Sequence, residues 1–407
     1  MTETTSTARA GSGQALNLAL ATWAFAITFW AWNLVGPLAA LYSEDLDLSS
    51  NQKALLIATP VLVGAVGRVP VGALTDRYGG RTMLSALSFI SIVPVLLVAW
   101  AGNLESYPLL LVFGFLLGIA GTSFAAGIPF VNAWYGPSRR GFATGLFGAG
   151  MGGTALSSFF TPRFVQWFGY TQAHLIIAAA LAVTGVVLML LMRNSPTWQR
   201  NDQPVMPKLK AASKLPVTWQ MAFLYAVTFG GFVAFSTYLP TYLKDVYDFD
   251  LAGAGTRTAG FAIAAVIARP LGGVLSDRVH PRVVVLVSLA GAAVSAVLMA
   301  LKPEPEIPAG TVFVLMAFFL GLGSGGVFAW VARRVPPERV GSVTGVVGAA
   351  GGLGGYFPPL VMGATYNEVT HSYTIGLVLL VVTAVVAFLF TYWRLPREER
   401  APTAPGA

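Results

Sequence analysis

Cysteine is absent from the 407 residues, histidine occurs only three times, and charged residues make up just 10% of the chain. Without cysteine there is no disulfide, no thiolate nucleophile and little scope for a soft metal. Soluble domains carry roughly a quarter of their residues as Asp, Glu, Lys and Arg. A 10% share beside 55% hydrophobic residues excludes an ordinary soluble protein and points to an integral membrane one. A membrane-embedded enzyme would need interior clusters of His, Cys or carboxylates, yet His174, His280 and His371 all stand near span ends. Neither enzymatic activity, a metal site nor a cofactor is expected. The opening stretch MTETTSTARAGSGQ carries an acid and lacks a basic then apolar signal pattern, so residues 1–14 read as a disordered cytoplasmic tail. The tails are too short for a signalling domain, which argues against a transporter-like receptor.

What the chain has in abundance is apolar runs of about 20 residues, each able to cross a hydrocarbon core of roughly 30 Å. They predict an all-α membrane protein of twelve spans, at 15–42, 54–75, 83–101, 107–134, 141–168, 172–193, 218–243, 256–277, 283–302, 310–332, 341–366 and 372–394. The polar stretch RNSPTWQRNDQPVMPKLKAASKL divides them six and six. The expected organisation is a tail over 1–14, a six-helix bundle over 15–193, a linker over 194–217, a second bundle over 218–394 and a tail over 395–407. An even number of spans puts both termini on one side, and eighteen of the 25 Lys and Arg residues fall on that side. The opposite loops hold SEDLD, KDVYDFD and KPEPE. The positive-inside rule therefore places both termini in the cytoplasm of a multi-pass cell-membrane protein. The net charge of +8 is thus a topology signal. The lipid bilayer is an expected partner, nucleic acid is not, and the chain reads as a monomer.

The two halves repeat each other. GRVPVGALTDRYGGR (67–81) aligns with ARPLGGVLSDRVHPR (268–282), pairing Arg68 with Arg269, Gly72 with Gly273, Asp76 with Asp277, Arg77 with Arg278 and Arg81 with Arg282. RRGFATGLFGAG likewise echoes RVGSVTGVVGAA, pairing Gly148 with Gly348. Parallel six-span repeats describe a transporter built around a central site. GALTDRYGGR after the second span resembles the loop motif of the major facilitator superfamily, G-x-L-x-D-R-x-G-x-R, and GGVLSDRVHPR repeats it after the eighth. The resemblance covers about residues 15–394. It implies that Gly72, Asp76, Arg77 and Arg81, with Gly273, Asp277, Arg278 and Arg282, form a cytoplasmic gate in which the aspartates cap and charge-pair across helix ends.

Arg68 and Arg269 need a separate explanation. Each lies eight residues before its motif aspartate, roughly 12 Å inside the boundary at about 1.5 Å per residue. An arginine at mid-membrane costs at least ~2.5–3.5 kcal/mol. A buried cation ordinarily has a buried anion as partner, yet all seventeen acids fall in tails, loops or span ends. The missing anion is then the substrate. Guanidinium forks suit small planar oxyanions, so nitrate and nitrite fit best, ahead of formate or another small carboxylate. The alternative is a pair of structural arginines that snorkel or bind carbonyls. Tyr225 and Phe229, four residues apart, share one helix face and could wall an anion with a phenol donor and ring edges, or simply pack.

Within the superfamily the chain resembles the nitrate/nitrite porters of the NarK type. GRVP and ARPLGG match that family's substrate arginines, Arg68 and Arg269. FLYAVTFGGFVAF matches its Y-x-x-x-F-G-x-F pattern, which implies Tyr225 and Phe229 at the anion site. GIAGTSFAAG carries Phe124 where the family has a second aromatic wall, and GLFGAGMGG and GVVGAAGGLGG resemble its glycine-rich signatures, with Gly148 and Gly150 as ligand contacts. Met151 departs from the pattern: the family usually has Asn there, so anion affinity or preference is expected to differ. Two facing cations oppose closure of an empty site, which favours nitrate/nitrite exchange. FWAWNLVGPLAALY and the intact loop motif instead resemble branches that couple nitrate to protons. A major facilitator exporter of drugs or sugars is the remaining alternative.

Overall fold

The structure is a computed structural model and describes residues 3–136, 139–200, 205–335 and 337–395. Eleven helices among them are long and apolar enough to cross a bilayer: Gly13–Asp45, Ser50–Tyr78, Gly80–Asn103, Tyr107–Trp134, Tyr170–Leu191, Pro216–Tyr247, Leu251–Arg278, Pro281–Ala300, Ile307–Arg334, Arg339–Ala364 and Thr374–Arg394. The remaining expected span, the fifth, is helical in three pieces: Arg140–Gly148, a 3₁₀ turn Ala149–Gly152, and Gly153–Phe168. Its glycines, serines and Arg163 dilute its hydropathy without shortening it. Every span predicted from the sequence thus corresponds to helix, with ends displaced by a few residues. The first helix is longer than its span, starting at Glu3 within the stretch read as a tail. A short helix, Val205–Ser213, lies within the linker.

Local chemistry fixes the helix ends. Ser49 and Gln52 form a reciprocal capping box before the second span, Asp250 accepts from the Gly253 N–H before the eighth, and Pro216 and Pro281 occupy first-turn positions. Several spans are broken within the bundle. The first is interrupted between Trp32 and Val35, the second at Gly67, the fourth by the 3₁₀ segment Gly118–Thr122, and the eleventh between Gly354 and Phe357. Pro70 accounts for the break at Gly67, because its ring excludes a hydrogen bond to the carbonyl four residues earlier. Irregular backbone in a membrane is tolerated only where protein surrounds it. The breaks in the second and fourth spans adjoin Arg68 and Phe124, and the 3₁₀ turn of the fifth span contains Met151.

Both ends of the described chain belong to one side. Gln14 bonds to the Trp134 carbonyl, the Arg193 amide to Asn17 and the Arg81 amide to Asn194, while Arg282 reaches the carbonyls of Thr391 and Tyr392. The halves pack through the eighth span on the fifth, the seventh on the first, and the eleventh on the second. On the side away from the termini this contact is tight. A Cβ on Gly36 would stand 2.6 Å from the Thr237 carbonyl oxygen of the other half. Lys53 meets both carboxylate oxygens of Asp245 there, each at 2.9 Å. On the terminal side, the motif glycines Gly72 and Gly273 face open space.

Candidate anion site

Arg68 opens the helix Arg68–Tyr78, directly after the Gly67 break, and is 4% exposed. Its Nη1 donates to the Gly348 carbonyl at 2.8 Å, across the interface between the halves, while its buried Nε has no partner. Arg269 sits in the unbroken helix Leu251–Arg278, one residue before Pro270. Its Nη2 donates to the Tyr225 hydroxyl at 2.9 Å and its Nη1 to the Met151 sulfur at 3.3 Å. Both cations lie over the same two rings. Arg68 Cζ is 5.2 Å from the Phe124 centroid and 5.5 Å from that of Phe229; Arg269 Cζ is 5.6 and 5.3 Å from them. Phe124 and Phe229 stack at 6.5 Å, and Tyr225 stacks on Phe229 at 4.8 Å with an interplanar angle of 1°.

The electrostatics leave this cluster incomplete. Neither guanidinium has a carboxylate partner among the described residues. A cation over an aromatic face gains about 0.5–2 kcal/mol, whereas withdrawing an ion from water costs several kcal/mol even after relaxation. Rings and two neutral oxygen acceptors therefore do not fully offset one buried and one half-buried cation that also repel each other. Arg68 Nε and the N–H groups not engaged by Gly348, Tyr225 or Met151 are left as donors in this cluster.

Comparison with known proteins identifies the architecture. The chain matches the family model of the Major Facilitator Superfamily over residues 21–329 and 251–407. It is 61% identical over 391 residues to the probable nitrate/nitrite transporter NarK2 of Mycobacterium tuberculosis, covering 96% of this chain and 99% of that one. The nitrite extrusion protein of Bacillus subtilis is 32% identical (95% and 96% covered), and the probable nitrate/nitrite antiporter NarK1 of Thermus thermophilus is 34% identical (84% and 83%). The chain belongs to the NarK-type porters of the major facilitator superfamily. Solved structures share this porter's fold at low identity. The Escherichia coli xylose transporter XylE in a partially occluded inward-open conformation has a TM-score of 0.75 at 14% identity (95% of this chain, 98% of that one). An inward-facing, occupied bacterial homologue of the lysosomal transporter Spinster has a TM-score of 0.74 at 18% (96% and 99%).

Of the residues the sequence singled out in this porter, Arg68, Arg269, Tyr225, Phe229 and Phe124 come together in one cluster. Gly148 lies beside it, since a Cβ there would be 3.9 Å from Arg269 Nε. Gly150 is instead pressed against Phe25, which a Cβ would meet at 2.5 Å. Two members were missed. Phe328 lies 5.7 Å from Arg269 Cζ and edge-on to Tyr225 at 4.6 Å; its G-x-x-F-A setting, GGVFA, mirrors GTSFA around Phe124. Gly348 supplies the carbonyl for Arg68, a role no side-chain pattern reveals.

The loop motifs are apart from the cluster. Arg81 donates to the Met189 carbonyl at the end of the sixth span, and its repeat Arg282 does the same to Tyr392 at the end of the twelfth, each satisfying a helix C-terminus. Arg77 covers the Tyr78 ring, Asp76 is half-buried, and Asp277 and Arg278 are exposed. Neither aspartate has an ion pair among the described residues.

The glycine-rich eleventh span lies closely against Tyr225. A Cβ on Gly351 would lie 2.2 Å from the Tyr225 ring. Gly351→Ala must displace Tyr225 and with it the hydroxyl that holds Arg269. The variant is expected to insert normally and to lose uptake by about 10-fold or more, the equivalent of one charge-assisted hydrogen bond of ~1.5–3 kcal/mol. Uptake per molecule in proteoliposomes checks this.

Proposed function

We propose that this porter carries nitrate and nitrite across the cell membrane by alternating access, exchanging one anion for the other. The observation that carries the reading is the pair of guanidiniums over one Phe124–Phe229 stack with no carboxylate beside them. Arg68, Arg269, Tyr225, Phe229 and Phe124 bind the anion, with Gly148, ending the helix Arg140–Gly148, and Gly150, in the turn Ala149–Gly152, behind them. The bundles 15–193 and 218–394 rock about this point, joined by the linker 194–217. Both termini face the cytoplasm, as the eighteen basic residues on their side favour. The protein works as a monomer, each chain holding a complete site.

The tight contact away from the termini then makes this an inward-facing conformation. In the outward-facing one, Gly72, Asp76, Arg77 and Arg81, with Gly273, Asp277, Arg278 and Arg282, close the cytoplasmic side. An empty site resists that closure because the two cations repel in a low dielectric, and a bound monoanion relieves the repulsion. Loaded carriers return readily and empty ones slowly, which is exchange.

Counterflow tests this. Proteoliposomes loaded with nitrite should take up labelled nitrate several-fold faster than empty ones at equal pH on both sides. Equal rates with uptake stimulated by external acid would instead establish nitrate/proton symport. Competition by formate as strong as by nitrite would redirect the assignment to small carboxylates.

A further inference from the structure

Met151 enters the cluster through its sulfur. Its sulfur accepts from Arg269 Nη1 at 3.3 Å, and the residue is 1% exposed. It stands in the 3₁₀ turn Ala149–Gly152, which interrupts the fifth span at this point. Arg269 therefore has two protein acceptors of opposite character. The Tyr225 hydroxyl, at 2.9 Å, belongs to the same half as Arg269 and moves with it. The Met151 thioether belongs to the other half and is a weak acceptor on a flexible, polarisable chain. Arg68 is tied across the interface too, but to a strong acceptor, the Gly348 carbonyl.

We infer that Met151 is a positioning residue for Arg269: a deliberately weak tether that aims the guanidinium between the rings in the inward-facing state and lets go when the halves rock. The inference rests on the anion-site reading above. Two acceptors on opposite halves fix the plane of a guanidinium, whereas one leaves it free to swivel about the remaining bond. A planar fork binds a planar oxyanion only in the right orientation, so loss of the sulfur weakens binding. A strong acceptor at the same place has the opposite fault. It holds Arg269 correctly for binding but staples the two halves together, and rocking must break that bond in each cycle. A soft thioether satisfies both needs.

The test separates binding from turnover. Met151→Leu keeps the volume and removes the acceptor; Met151→Gln replaces the sulfur with an amide oxygen at similar reach. Nitrate uptake in proteoliposomes gives KM and maximal rate, and nitrate-dependent thermal stabilisation in detergent gives affinity without transport. Met151→Leu should raise KM and weaken stabilisation by about 3- to 10-fold while keeping the maximal rate. Met151→Gln should keep KM near the parent's and lower the maximal rate by about 3- to 10-fold. Parent-like values in both variants, or the same KM and rate change in both, would overturn the role, as purely structural packing would produce either. If the parent protein itself neither binds nor moves nitrate, the anion-site reading fails rather than the tether.

Discussion

Arg68→Lys and Arg269→Lys are each expected to reach the membrane in normal amounts and to lose nitrate uptake by roughly 10–100-fold, the loss of one or two charge-assisted hydrogen bonds. Lysine keeps the charge, so insertion and long-range attraction of anions survive. The geometry does not. Arg68 uses one N–H on the Gly348 carbonyl and still offers its Nε and second nitrogen from a buried position, and Arg269 divides its donors between Tyr225 and Met151. An ammonium cannot hold a protein acceptor on one side and a planar anion on the other. Uptake per molecule, normalised to the amount in the membrane, measures this. Near-parental uptake by either variant would make that arginine a structural bridge between helices.

Asp245→Asn should release the side away from the termini. Lys53 and Asp245 come from opposite halves, with side chains only 9% and 13% exposed, and the Tyr373 hydroxyl also donates to Asp245. Tyr238 in turn donates to Tyr373 at 3.2 Å. Removing one partner from an enclosed ion pair costs about 3–5 kcal/mol. That cost falls on the closed state alone, because opening lets Lys53 hydrate. A shift of ~3 kcal/mol changes the ratio of outward-facing to inward-facing molecules by about a hundredfold. The absence of native cysteine makes this measurable, since a single introduced thiol is the only one present. Thr237→Cys places it at the closed contact, where the parent residue is 3% exposed. An impermeant thiol reagent applied to that side should label it slowly in the parent and far faster with Asp245→Asn. The double replacement Lys53→Met/Asp245→Leu should restore slow labelling, because an apolar pair needs no partner charge. Unchanged labelling in Asp245→Asn would mean that the ion pair does not govern closure.

The span pattern was legible because it depends on hydropathy and loop charge, which the sequence states directly. Even the fifth span, diluted by glycine and Arg163, was readable from its length between charged loops. The candidate site was proposed from an imbalance, two arginines at repeat-related positions and no carboxylate in reach, and the structure brings those two arginines over one pair of rings. Other features were less visible. Asp245 reads as a loop acid in KDVYDFD, but the seventh span continues to Tyr247 and carries it against Lys53. That partnership depends on the meeting of two helices far apart in sequence. Gly150 and Gly148 look equivalent in GLFGAGMGG, yet the 3₁₀ turn points one at Phe25 and leaves the other beside Arg269. Phe328 was hidden because an aromatic residue in a membrane helix usually only packs, and its echo of Phe124 is short.

Nitrate affinity across the four members of an Arg68/Arg269 double-mutant cycle, by titration calorimetry on the purified porter, probes the shared site most directly. Two forks closing on one anion should behave as a unit. The parent should bind one nitrate per chain, and Arg68→Lys, Arg269→Lys and the double variant should lose nearly the same affinity. Losses that simply add, or two independent nitrate sites in the parent, would contradict a single anion held between both guanidiniums.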